Sequence, residues 1–147
     1  MGVNPRRLGV GGKVRRGVFL LDDHESVRAA IRRLIEATDD LSVVGESGTV
    51  AGTITRIISS RPDVAILDVR LPDGSGVEVG RDIRIHCPEV RCLMLTSCPD
   101  DEALVATAGA GAAGYLSKPI SAADLLRAVR WLASGEQHPI VHALVAE

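Results

Sequence analysis

Two hydrophobic periodicities alternate along the chain. Short apolar runs rich in Val, Ile and Leu are typical of buried strands. The segments between them repeat apolar residues every three or four positions, which predicts amphipathic helices. The runs predict strands at residues 18–21, 41–46, 64–67, 92–95 and 115–116. The periodic segments predict helices at residues 25–38, 50–60, 76–86, 101–108 and 121–134.

The order of these elements predicts the architecture. A strand followed by a helix occurs five times. Strands that are apolar on both faces are typical of a parallel sheet with helices on each side. Right-handed crossovers then distribute the helices over both faces. We therefore predict an α/β fold, namely a single domain with a five-stranded, doubly wound parallel sheet of the flavodoxin-like type.

The composition agrees with a compact globular domain. Of the 147 residues, 46% are hydrophobic and 24% are charged, and a chain of this length buries a core without disulfide or metal support. The apolar runs are too short for a membrane-spanning helix, and no apolar segment makes the basic N-terminus a secretory signal. The three cysteines are a poor disulfide framework. We expect reduced, buried thiols, a cytoplasmic location and no membrane contact.

Charge is distributed unevenly along the chain. Residues 1–17 contain five basic residues, no acidic residue and no hydrophobic periodicity. We expect them to form a flexible basic extension, with an arm that touches nucleic acid or membrane as the alternative. The rest of the chain is acidic, which disfavours a phosphate-backbone footprint on the folded part itself. Residues 18–134 are the expected domain, and residues 135–147 are a tail or the start of a linker.

Polar side chains follow four of the five predicted strands. Asp22 and Asp23 follow the first strand, Asp68 the third, Thr96 the fourth and Lys118 the fifth. Because the carboxyl ends of parallel strands meet at one edge of a sheet, we expect these side chains to converge there. Each of them alone would be an ordinary turn former, helix cap or surface group. Their convergence predicts a site.

The predicted cluster favours phosphoryl transfer onto a carboxylate. Neighbouring carboxylates repel one another, so a cation, a raised pKa or Lys118 must compensate. Hard oxygen ligands suit Mg²⁺. Asp68 ends the central apolar strand and is the candidate nucleophile, while Asp22 and Asp23 are the candidate metal ligands. The Thr96 hydroxyl can donate to a phosphoryl oxygen.

The motifs that carry these residues resemble those of response-regulator receiver domains in two-component signalling. The matching segments are LLDDHE (20–25), ILDVRLPDGSG (66–76), LMLTS (93–97) and GYLSKP (114–119). Their order and spacing fit over about residues 17–134. Within the family, these segments are similar to those of the NarL/LuxR-type branch, particularly of dormancy regulators of the DevR/DosR type. Pro119 departs from that branch and is more typical of receiver domains in general.

The resemblance implies specific roles at the acidic cluster. Asp68 would accept a phosphoryl group from the phosphohistidine of a sensor histidine kinase. Mg²⁺ would be bound by Asp23, Asp68 and the backbone carbonyl of Arg70, with Asp22 nearby or acting through water. Thr96 and Lys118 would contact the phosphoryl group.

The resemblance also implies a switch. Tyr115 would change rotamer when the Thr96 loop moves, although from the residues alone it would be a half-buried edge of the core. The Lys118–Pro119 bond would be cis. The surface of the fourth helix, fifth strand and fifth helix would change shape and could form a homodimer. DNA would be contacted only through an effector domain outside this chain.

Other interpretations remain at this point. The chain could be a stand-alone receiver that acts by protein–protein interaction, or a receiver-like module that no longer takes phosphate. A phosphatase of the haloacid-dehalogenase type also uses an aspartyl nucleophile and Mg²⁺, but it needs an acid where this chain has Arg70. We expect no turnover of a separate substrate. His24 is expected to be an exposed residue at a helix start, with a metal ligand as the alternative. Arg70 is expected to be a surface arginine, with a place on the kinase-docking rim as the alternative.

Overall fold

The computed structural model describes residues 14–97 and 112–134. The sheet strands are β1 (Arg16–Leu21), β2 (Leu41–Ser47), β3 (Val64–Asp68), β4 (Arg91–Thr96) and β5 (Gly114–Ser117). The helices are α1 (Glu25–Glu36), α2 (Thr53–Ser60), α3 (Gly76–His86) and α4 (Ala122–Ala133). A small antiparallel hairpin pairs Arg70–Leu71 with Gly74–Ser75 after β3. The helix predicted at 101–108, the tail at 135–147 and residues 1–13 lie outside the described parts.

The five strands form one parallel sheet in the order β2-β1-β3-β4-β5. Leu21 pairs with Leu67, Asp68 with Leu95, and Thr96 with Ser117. The carboxyl ends of four strands therefore lie level along one edge of the sheet. The prediction of a doubly wound parallel sheet in a single α/β domain is confirmed.

Alternate residues of each strand belong to different cores. On β3, Val64 and Ile66 belong to the core that also contains residues of α1 and α4. Ala65 and Leu67 belong to the core that also contains residues of α2 and α3. This division follows from the period-two geometry of a strand, and it explains why residues 64–67 are apolar at every position. Because helices cover both faces, the edge at the strand ends is left for polar groups.

The first strand begins before its apolar run. The Arg16 N–H donates to the Asp40 carbonyl at 2.9 Å, and the Gly17 N–H donates to Asp63 Oδ2 at 2.8 Å. These two bonds attach residues without apolar side chains to the sheet. The last two residues of the segment 1–17, expected to be an extension, therefore belong to β1.

The second helix begins three residues later than its hydrophobic pattern predicts. The Val50 and Ala51 N–H groups donate to the Asp73 carboxylate at 2.8 and 3.0 Å. Gly52 then takes a left-handed conformation, with φ of 74°, and precedes the helix. An acidic side chain more than twenty residues away thus takes the place of the first helical turn.

The last helix begins as its sequence predicts. Ser121 precedes it, and its Oγ accepts a hydrogen bond from the Asp124 N–H at 3.1 Å. This bond satisfies one of the N–H groups left open at a helix start. Among the helices in the described ranges, none has both the length and the apolar character needed to cross a bilayer.

Gly76 provides a test of how tightly the third strand and third helix fit together. A β-carbon at this position would overlap the Asp68 backbone carbonyl. We expect Gly76→Ala to lower the free energy of unfolding by roughly 1–3 kcal/mol, the usual effect of overpacking, as measured by urea denaturation. Gly52→Asn is the control, because Gly52 has open space around it and Asn tolerates its left-handed φ. An equal loss in both variants would contradict this explanation.

Candidate phosphoryl-acceptor site

The ammonium group of Lys118 holds two carboxylates together at the sheet edge. Its Nζ lies 2.8 Å from Asp22 Oδ2 and 3.4 Å from Asp68 Oδ2. These residues come from the ends of β5, β1 and β3, which are separated by as many as 96 positions in the chain. The convergence predicted from the strand ends is therefore observed for Asp22, Asp68 and Lys118.

Burial and neighbouring charges shift the pKa values of Asp68 and Lys118. Asp22 and Asp68 are 4% and 6% exposed. Burial raises the pKa of the Asp68 carboxyl and the Asp22 charge adds to the rise, while Lys118 and the Arg70 backbone N–H act in the opposite direction. Burial would lower the pKa of Lys118, but the hydrogen bonds and charges of Asp22 and Asp68 outweigh it and raise that pKa. The lysine is therefore charged at neutral pH.

Local backbone contacts position Asp68. Its carboxylate accepts a hydrogen bond from the Arg70 backbone N–H. The Gly76 N–H donates to the Val69 carbonyl at 3.1 Å, so the hairpin closes back against the end of β3. The Arg70 side chain is exposed, as expected. This arrangement leaves the Asp68 carboxylate at the rim of the sheet rather than inside the hydrophobic core.

Thr96 and Tyr115 lie on adjacent strands near this rim. Thr96 ends β4 and is 1% exposed, and its carbonyl accepts from the Lys118 N–H at 2.7 Å. Tyr115 is fully buried and pairs with Met94 across the two strands. Since alternate strand residues point to one face, Thr96 and Tyr115 are on the same face of the sheet. The residues alone suggested a half-buried Tyr115, and the structure places it inside the core instead.

The donor atoms at the rim suit a hard divalent cation. Ligand atoms of Asp22, Asp23, Asp68 and His24 all lie within 4.8 Å of one another. Carboxylate oxygens dominate this set, which is the preference of Mg²⁺. Asp23 is the more solvent-exposed of the three acids, so a cation there can keep part of its water shell. The donor set therefore fits the metal that the sequence predicted.

His24 lies closer to the acids than the sequence indicated. Its side chain is 65% exposed and it precedes α1, both as expected. Its Nδ1 is nevertheless 3.2 Å from Asp22 Oδ1 and 3.1 Å from Asp23 Oδ1. The His24 backbone N–H also donates to Asp22 Oδ1 at 2.9 Å, so this residue helps to orient the loop.

Sequence reasoning missed Arg28, whose side chain also reaches this loop. Its Nη1 donates to the Asp22 backbone carbonyl at 2.6 Å. Arg28 stands one helical turn after His24 on α1, and an arginine in the first turns of a helix is usually a surface residue. The pattern carried no indication that its side chain folds back onto the loop before the helix.

The peptide bond after Lys118 and the cysteines were also predicted from the sequence. The Lys118–Pro119 bond is cis, as the resemblance implies. Cys87 and Cys92 are buried free thiols, as expected, and burial raises the pKa of Cys92 to about 12. Cys98 lies outside the described residues. Neither buried thiol is ionised at neutral pH.

This fold and this acidic rim define a class. The family model for the response regulator receiver domain matches residues 18–130. The chain belongs to the response regulator receiver family.

Individual relatives agree with the resemblance to the NarL/LuxR-type branch. The chain is 50% identical over 118 residues to the DNA-binding transcriptional activator DevR/DosR of Mycobacterium tuberculosis. That match covers 80% of this chain and 54% of the relative, so the chain spans about half of the relative's length.

Solved structures give the same result. A LuxR-family two-component response regulator from Aurantimonas sp. matches with a TM-score of 0.79 and 29% identity, over 90% of this chain and 96% of the other. The receiver domain of the putative response regulator NarL from Mycobacterium tuberculosis matches with a TM-score of 0.78 and 29% identity, over 83% and 98%.

The burial of Asp68 predicts a pH-dependent effect on stability. Because its pKa is raised in the folded state, the Asp68 carboxylate opposes folding once the pH exceeds that raised pKa, and this effect disappears below the usual value near 3.8. We expect metal-free Asp68→Asn to be more stable than the wild type at pH 7, on the order of 1 kcal/mol, and to lose this advantage below pH 4. Urea denaturation across this pH range measures the difference.

Asp73→Asn is the control, because its expected effect on stability at pH 7 is the opposite. The backbone N–H groups of Val50 and Ala51 lower the pKa of Asp73, so its charge favours folding above its usual pKa and that contribution fades as the pH falls. We expect this variant to be less stable than the wild type at pH 7. Destabilisation by Asp68→Asn at pH 7 would contradict the stated cause.

Proposed function

We propose that this chain is the phosphoacceptor receiver of a two-component response regulator and that Asp68 takes a phosphoryl group from a sensor histidine kinase. The observation that carries the proposal is the buried Asp68 carboxylate, 3.4 Å from the Lys118 ammonium at the open edge of the sheet. An Asp68 oxygen attacks phosphorus, the bond between phosphorus and the kinase's imidazole nitrogen breaks, and its electron pair returns to the imidazole.

Mg²⁺ is the proposed cofactor. Asp23, Asp68 and the Arg70 backbone carbonyl would hold it, with Asp22 nearby or acting through water. When bound, the cation neutralises the charge that develops on the phosphoryl oxygens. The proximity of the Asp22, Asp23 and Asp68 oxygens supports this assignment.

Lys118 and Thr96 are the proposed phosphoryl contacts. Lys118 already bridges Asp22 and Asp68, so its ammonium group is in place to pair with a phosphoryl oxygen on Asp68. The Thr96 hydroxyl would donate to another phosphoryl oxygen. Phosphorylation adds about 1.5–2 negative charges, which is enough to draw both groups toward Asp68.

The switch that follows is proposed to pass through Tyr115. Movement of Thr96 toward the phosphoryl group would change the packing of Tyr115 on the same face of the sheet, and the surface around β5 and α4 would change with it. The helix predicted at residues 101–108 would be part of that surface, but it lies outside the described residues. A homodimer through this surface remains a prediction.

Transcription control is the proposed output in the cytoplasm. The DNA-binding activator at 50% identity is nearly twice as long as its matched region. We propose that DNA is contacted only by an effector domain outside this chain and that no separate substrate is turned over. A stand-alone receiver that acts by protein–protein contact is the alternative.

Acetyl phosphate with Mg²⁺ tests the acceptor assignment. We expect intact-protein mass spectrometry to show the addition of one phosphoryl group to the wild type and none to Asp68→Asn. Asp73→Asn is the matched control, because Asp73 is an exposed acid that accepts hydrogen bonds from the α2 entry loop. It should be labelled like the wild type.

The other outcomes identify the alternatives. A folded wild type that takes no label would favour a phosphate-independent module. Labelling that persists in Asp68→Asn would reject Asp68 as the acceptor. Steady hydrolysis of p-nitrophenyl phosphate, abolished in the same variant, would favour a phosphatase.

A further inference from the structure

Arg28 connects the acidic loop to the end of the edge strand. Its Nη1 donates to the Asp22 carbonyl at 2.6 Å, and its Nε lies 3.5 Å from Glu46 Oε1 on β2. The Arg28 side chain is only 20% exposed. One guanidinium group thus spans the carboxyl ends of two neighbouring strands, β1 and β2.

Two neighbouring arginines hold Glu46, the residue that pairs with Arg28. Arg32 pairs with the other oxygen of the same carboxylate, with its Nη1 2.6 Å from Glu46 Oε2. The Arg56 Nη1 donates to the Glu46 backbone carbonyl at 2.7 Å. Glu46 is therefore fixed from two sides, and it in turn orients Arg28.

Gly48 makes room for this contact. A β-carbon on Gly48 would lie 2.9 Å from Arg28 Nη1, 3.7 Å from the Asp22 carbonyl oxygen and 3.8 Å from the Asp23 Cα. The guanidinium group therefore occupies space that any side chain at position 48 would take. The closest of these atoms is the end of a flexible side chain, so a methyl group there would displace Arg28 before it disturbed the backbone.

We infer that Arg28 is a positioning residue for the metal-binding acids. Within the described parts of the chain, its contacts do not include the Asp22, Asp23 or Asp68 carboxylates. It instead fixes the peptide of Asp22 and hence the direction of the Asp22 and Asp23 side chains. Groups that orient metal ligands from outside typically change metal affinity by about 10–100-fold. This inference rests on the proposed Mg²⁺ site.

The direction of the change in metal affinity distinguishes a positioning role of Arg28 from an effect of its charge alone. Arg28 is a cation close to an acidic cluster, so through its charge alone it repels a divalent cation. Its removal would then tighten metal binding. If Arg28 instead orients the ligands, its removal weakens binding even though the site becomes more negative.

Metal affinity measured without any phosphorylation tests this inference. Mn²⁺ is titrated into the full chain, free Mn²⁺ is followed by electron paramagnetic resonance, and Mg²⁺ is added as a competitor. We expect Arg28→Gln to weaken Mn²⁺ and Mg²⁺ binding by about tenfold. Gly48→Ala should weaken binding in the same direction while the arginine charge is retained.

Arg32→Gln is the matched control. Arg32 neutralises the same Glu46 carboxylate, and its contacts in the described structure do not include the acidic loop. We expect its affinity to stay within about twofold of the wild type, as is usual for an exposed ion pair. Circular dichroism and thermal unfolding check that each variant is folded.

The outcomes distinguish failure of the proposed metal site from failure of the positioning role of Arg28. A wild type that binds no Mn²⁺ would reject the metal site and the positioning role together. A wild type that binds, with Arg28→Gln and Gly48→Ala binding equally or more tightly, would reject the positioning role alone. Arg32→Gln weakened as much as Arg28→Gln would show that the ion pairs with Glu46, and not the contact with Asp22, are responsible.

Discussion

The pairing of Lys118 with two buried carboxylates is the interaction on which the site depends. Asp22 and Asp68 are almost completely removed from solvent, and two unpaired carboxylates in that position would oppose folding strongly. One ammonium group within hydrogen-bond distance of both offsets part of the repulsion.

Parallel pairing makes this interaction geometrically possible. Three strands separated in sequence by long helical crossovers end at the same level, and helices cover the rest of the sheet. The apolar faces are fully used by the two cores. Polar groups can therefore gather at the strand ends, which is where the fold places Asp22, Asp68 and Lys118.

Most of the site was predictable because it depends on which residues follow the strands in the sequence. A strand end is visible in the sequence, so the meeting of Asp22, Asp68 and Lys118 follows once the strands are parallel. The start of α2 was not predictable, because the carboxylate that delays it belongs to Asp73 on another loop. The role of Arg28 was not predictable for the same reason, because its partner Glu46 is distant in sequence. Hydrophobic periodicity carries no information about such contacts.

The Asp73 carboxylate has a mechanical consequence. By accepting from two consecutive amides, it joins the hairpin beside Asp68 to the loop that precedes α2. The two loops cannot separate from each other without breaking both bonds, so they move together. The Val50 and Ala51 amide protons then become natural reporters for hydrogen exchange, because their protection records whether the hairpin beside Asp68 and the loop before α2 stay joined.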